Sequence, residues 1–196
     1  MSATRTTISP STPTGRRVPN LDTDTLARLA DALPADGELP YAARRALHAG
    51  LGEALPRLEL LCAERVQPIW DAAFPGDDRP RRLLGAARSG PADGSLKQAV
   101  RDVHTHLDNL SLRGGTAVSA GLAAWAVARN LVFGRPGEPG DVDGEIDLDP
   151  DDWSPCFYAA SAAAGGPVWL DGSDPVARRG FWRWYLLEAV PRAAGA

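Results

Sequence analysis

The chain places two imidazoles and a carboxylate within five residues, His104-Thr105-His106-Leu107-Asp108. An H-x-H-x-D array of this kind belongs to binuclear zinc hydrolases, where it holds the ions that activate water. Those enzymes carry it on a loop after a strand and draw on further histidines, whereas only His48 remains here. The surrounding pattern is helical instead: Leu96, Val100, Val103, Leu107 and Leu110 mark one apolar stripe. Helical residues two apart point about 200° apart and cannot share one ion. His104 and His106 are therefore expected to flank that stripe on opposite sides. The alternative is a helical metal-binding protein or hydrolase that uses His104, His106 and Asp108.

A second cluster is acidic. Glu138, Asp141, Asp143, Glu145, Asp147, Asp149, Asp151 and Asp152 put eight acids into 15 residues. Acids at every second position suggest a calcium loop, but a loop starting at Asp141 has Ile146 where the turn requires Gly and Asp152 where it requires Glu. Two readings remain: a solvated loop, or a surface complementary to a basic partner, which would relieve the mutual repulsion of the acids. On the second reading Asp141, Asp143, Glu145, Asp147, Asp149, Asp151 and Asp152 are the candidate partner-binding residues.

The other candidates are weaker. Cys62 lies on an apolar stripe with no His beside it, and Cys156 follows Pro155 at a helix start; both read as small buried fillers. Among Trp153, Phe157, Tyr158, Trp169, Phe181, Trp182, Trp184 and Tyr185, most belong to a core. Trp184, beside Arg183 and four residues before Glu188, is expected to be half-exposed, an anchor for a partner or for a second copy of the chain. There is no G-x-x-x-x-G-K-[ST], G-x-S-x-G or H-E-x-x-H motif, and no Ser-His-Asp set assembles from three scattered histidines. The residues favour a binding protein over an enzyme, with no cofactor and no bound metal.

The elements that must position these residues read as helices. A chain of 196 residues is long enough for one domain with a core. Residues 1–20 carry Arg5, Arg16 and Arg17 and no acid, which leaves the rest at a net charge of −7. That balance argues against direct nucleic-acid binding. The same twenty residues, rich in Thr, Ser and Pro, read as a disordered tail rather than a secretory signal, so a cytoplasmic location is expected. Gly114 to Ala128 is uncharged but too short and too weakly apolar for a membrane span, and reads as a buried helix. From residue 21 to 196, 3.6-residue periodicity recurs and strand alternation is scarce. Asp22, Asp77-Asp78, Ser95, Ser154 and Asp174 open helices, and Pro68 is expected to kink or break the one from Leu58 to Ala73. The fold class is all-α, a single domain of seven or eight helices.

Three segments carry a likeness. They are Val66-Gln67-Pro68-Ile69-Trp70 through Phe74-Pro75-Gly76-Asp77-Asp78-Arg79-Pro80; Asp152-Trp153-Ser154-Pro155-Cys156-Phe157-Tyr158-Ala159-Ala160 leading to Gly165-Gly166; and Phe181-Trp182-Arg183-Trp184-Tyr185-Leu186-Leu187-Glu188-Ala189-Val190-Pro191. In this order they resemble the Imm5 family of immunity proteins from bacterial polymorphic toxin systems, over residues 40–192. The resemblance implies an all-α protein that neutralises a cognate toxin domain by direct binding in the cytoplasm of the producing cell. The negative charge further suggests a basic nuclease toxin. A helical scaffold unrelated to toxins is the remaining alternative.

Overall fold

Side-chain oxygens cap three of the described α-helices at their N-termini. The computed structural model describes residues 21–90, 94–111, 115–137 and 142–195; the expected N-terminal tail lies outside the described residues. Helix α1 (Thr23–Asp31) opens where the Asp22 carboxylate accepts the Thr25 N–H at 2.7 Å. Helix α2 (Tyr41–Leu51) follows Pro40 and tightens into a 3-10 turn, Gly52–Ala54, that leads straight into α3 (Leu55–Ala73). Helix α4 (Arg79–Ser89) has Pro80 in its first turn, and α5 (Gly94–Ser111) is described from Gly94, one residue before the expected start. A 3-10 turn, Gly115–Ala117, precedes α6 (Val118–Phe133). Two more such turns, Glu145–Asp147 and Pro150–Asp152, lead to α7 (Pro155–Ala163), where Ser154 Oγ accepts the Phe157 N–H. Asp174 caps α8 (Pro175–Trp184) by accepting from Val176 and Ala177. No strand occurs among the described residues, so the all-α reading holds.

Two prolines modify the picture. Helix α3 runs through Pro68, so of the expected kink or break, the break does not occur. Pro68 is exposed and removes a single backbone donor, while the buried Val66 and Trp70 on either side keep the helix packed. The last helix divides: beyond Trp184 the chain widens into a π turn, Tyr185–Ala189, before α9 (Val190–Ala194). Pro191 has no N–H to close a turn onto Leu187, and the Val190 N–H reaches back five residues to the Tyr185 carbonyl instead.

Helix α6 is the hub, packed by α3, α4, α5 and α7. With its preceding turn, Gly115–Phe133, it has the length and apolarity to cross a membrane, and half of that stretch is buried inside the fold. Its small residues let neighbours approach closely. A Cβ at Gly121 would stand 2.6 Å from the Trp70 ring and 2.7 Å from Leu107 Cδ2. Gly121→Ala is therefore expected to cost about 1–3 kcal/mol through overpacking. Gly85→Ala, in α4 with open space around it, should gain about 0.5–1 kcal/mol from helix propensity. Urea unfolding with unchanged m-values checks the pair.

Candidate functional site

Arg44 stands on the buried stripe of α2 with Leu47 and Leu51, and is itself 2% exposed. A guanidinium there needs acceptors, and two are supplied, one from six residues upstream and one from a segment about a hundred residues on. Its Nη1 donates to Glu38 Oε1 at 2.9 Å, and its Nη2 donates to Glu145 Oε1. The cation also lies over the rings of Trp182, at 5.0 Å, and Phe157, at 5.3 Å. Glu38 meets a second buried cation, with Arg178 Nε 3.2 Å from its Oε2, while Arg178 Nη2 donates to the Gly166 carbonyl. Burial pushes the Glu38 and Glu145 carboxyls above the ordinary carboxylate range, and Arg44 opposes that rise.

This cluster pins the acidic segment onto the helices, so much of it is a fitted strap rather than a free loop. Glu145 is only 6% exposed, which corrects its expected place on an acidic surface. The adjacent Ile146 turns outward instead, 65% exposed. The Glu145 carbonyl accepts the Trp153 indole N–H at 2.8 Å, and the Tyr158 hydroxyl donates to the Pro150 carbonyl. Asp151 Oδ1 lies 2.9 Å from His104 Nε2. Asp149 and Asp147 each accept a backbone N–H within the strap, from Asp151 and Asp143. Asp143, Asp147, Asp149, Asp151 and Asp152 remain exposed to solvent; Asp141 lies outside the described residues.

Two adjoining grooves open beside the strap. One, of about 280 Å³, runs between α2 and the start of α7, with Arg44, His48, Glu59 and Glu145 at its walls. The other, of about 370 Å³, lies over α5 and α6 and is lined by His104, Trp125 and Phe133. Arg129, Arg135, Pro136 and Asp152 line both. Glu59, buried on α3, is held by Arg135 Nη2 at 2.8 Å and by the Asn130 amide at 3.3 Å; burial pushes its carboxyl up. His48 Nε2 lies 3.0 Å from the Tyr185 hydroxyl, and burial with nearby Arg44 lowers its pKa to about 3. A neutral His48 pairs with the Tyr185 hydroxyl, Nε2 accepting the O–H in one tautomer and donating to its oxygen in the other.

The histidine array separates as the helical geometry requires. His104 goes to Asp151 and stacks on Trp125, with ring centroids 4.3 Å apart. His106 goes to Asp77, which Arg79 also grips. Among the described residues no three His, Cys, Asp or Glu side chains converge as a metal-ligand set. Cys62 and Cys156 are free, buried thiols from α3 and α7, and burial beside Cys156 raises the pKa of Cys62. Trp184 is 8% exposed rather than half-exposed, because Arg65 of α3 lies across its ring at 4.2 Å and Phe181 packs beside it. Trp169, by contrast, is an exposed aromatic, resting on Phe157.

Three of the residues that build this site went unrecognised in the sequence, although a signal was there. Arg44, Glu59 and Arg178 each occupy a position on an otherwise apolar helical stripe, and a charge in that place signals a buried ion with a partner elsewhere. A family model described as immunity protein Imm5 matches residues 35–192. No curated protein matches the chain.

Proposed function

The chain belongs to the Imm5 family of immunity proteins, and from that premise we propose that it protects the cell that makes it by binding a cognate toxin domain. The observation that carries this reading is the family match across 35–192, which spans the site from Glu38 into α9. Protection by binding needs no catalytic group. The grooves are consistent with that: their charged side chains are largely engaged in holding the strap and helices together. The protein acts in the bacterial cytoplasm, on a toxin of a polymorphic toxin system, and makes no contact with nucleic acid itself.

The exposed acids of the strap, Asp143, Asp147, Asp149, Asp151 and Asp152, form the side that meets a basic toxin, such as a nuclease. Asp151 and Asp152 line the grooves, and charge at such an edge steers approach more than it sets final affinity. The first test is co-expression with the product of the adjoining upstream gene. Restored growth together with a co-purifying complex supports the proposal, and toxicity left unrelieved overturns it. Within such a complex, replacing Asp143, Asp147, Asp149 and Asp152 together by Asn should slow association about tenfold at low salt and flatten its salt dependence. Unchanged association kinetics would return the strap to a purely structural part.

A further inference from the structure

Arg129 stands near the end of α6 between the two grooves and is mostly sheltered from water, yet it pairs with no carboxylate among the described residues. Its Nε and Nη2 donate to the amide oxygen of the neighbouring Asn130, at 3.2 and 2.9 Å. Its Nη1 is shielded from solvent and has no hydrogen-bond partner. Asp151, Asp152 and Glu59 act on it only from beyond ion-pair distance, and burial lowers its pKa. One turn earlier on the same helix, Trp125 is 4% exposed and lines the wider groove; its indole Nε1 also lacks an acceptor. The Arg129 guanidinium lies 5.0 Å from that indole ring. Two sheltered donors without acceptors, side by side beneath one groove, are an unfavourable arrangement in the isolated protein. Arg129 itself lines both grooves, so an entering acceptor meets its guanidinium without a carboxylate of this chain already paired to it.

We propose that the groove over Trp125 and Arg129 receives an Asp or Glu side chain of the toxin, whose carboxylate pairs with Arg129. This rests on the toxin-binding reading above and adds the chemistry of the contact. A guanidinium held only by a neutral amide exchanges that bond readily for a charge-assisted, two-pronged pair with a carboxylate. Asp151 and Asp152 on the same rim repel a phosphate dianion more strongly than a carboxylate. They leave the face with acid and base adjacent, so the matching partner surface sets a basic group against Asp152 and an acid against Arg129. Arg and Trp in a sheltered pocket are also the residue types that carry most binding energy at interfaces.

The test has two arms. In the first, N-acetyl-glutamate amide and N-acetyl-lysine amide are titrated into the labelled full chain, and the Trp125 indole and Arg129 Nε–H NMR signals are followed. Selective shifts with the glutamate probe, lost in Arg129→Gln, are expected. No shift, or the same shift in Arg129→Gln, overturns the site whatever the toxin does. In the second arm, affinity for the inactivated toxin domain is measured. Arg129→Gln should weaken it ten- to a hundredfold, Arg129→Lys less, and the exposed control Arg192→Gln not at all. Equal affinity in Arg129→Gln, with the wild-type chain still protective, overturns the toxin contact while the immunity function stands. A wild-type chain that fails to protect overturns both that function and the toxin as occupant of the groove, and the first arm still decides its carboxylate chemistry.

Discussion

Arg44→Met is expected to destabilise the protein by about 3–5 kcal/mol at pH 7, the cost of leaving buried carboxylates without their cation. Glu38 keeps Arg178 after the change, whereas Glu145 loses its ion-pair partner. The strap should loosen first, since Glu145 ties it to α2. Removing both charges restores part of the loss, so Arg44→Met with Glu145→Gln should be clearly more stable than Arg44→Met alone. The pH dependence has a definite sign. Glu145 already has a folded-state pKa raised above the ordinary 4.5, and removing Arg44 raises it further. Such a group disfavours folding as pH climbs through its folded pKa, so the deficit of Arg44→Met should shrink as pH falls toward 4.5. Urea unfolding at pH 5 and pH 7 measures this; a loss below about 1 kcal/mol at both would mean the cluster is solvated and contributes little.

The helices and their starts were legible because the signals are local. Asp22, Ser154 and Asp174 each cap within three residues of their own position, and the stripe from Leu96 to Leu107 needs no knowledge of its partners to be read. The segment signature of the family was legible for a similar reason: proline and glycine punctuation and aromatic spacing survive as sequence. The site was less so. Arg44 announces a buried ion by its place on a stripe, but its partner Glu145 is 101 residues away. Nothing in the run of acids separates Glu145 from Asp143 or Asp147, and the pair Glu145-Ile146 reverses ordinary hydropathy, with the charge inside and the isoleucine out. Trp184 failed on a cross-helix contact. Its own helix suggests an outward face, and only the approach of Arg65 from α3 covers it.

Acidification acts on the same cleft through His48, and the expected size there is also large. The folded-state pKa of His48 lies at about 3, against an ordinary value of 6.5. Below pH 6.5 the unfolded chain therefore binds a proton that the folded chain refuses, and stability falls as pH drops from 6.5 toward 3. At pH 5 the loss through this one group is about 2 kcal/mol. Glu38, Glu59 and Glu145, with pKa values raised by burial, push the opposite way over the acid range. A bare pH profile would mix the two, so the comparison is wild type against His48→Gln at each pH. Glutamine carries both a donor and an acceptor for the Tyr185 hydroxyl, which burial keeps protonated. The stability of His48→Gln relative to wild type should rise by about 2 kcal/mol between pH 7.5 and pH 5. A gap that stays constant across that interval would mean His48 titrates as a solvated imidazole, and the Tyr185 contact would then be formed only part of the time. A gap that moves as expected shows that the folded chain resists protonating His48, first because the imidazole is buried and second because the Arg44 guanidinium stands nearby.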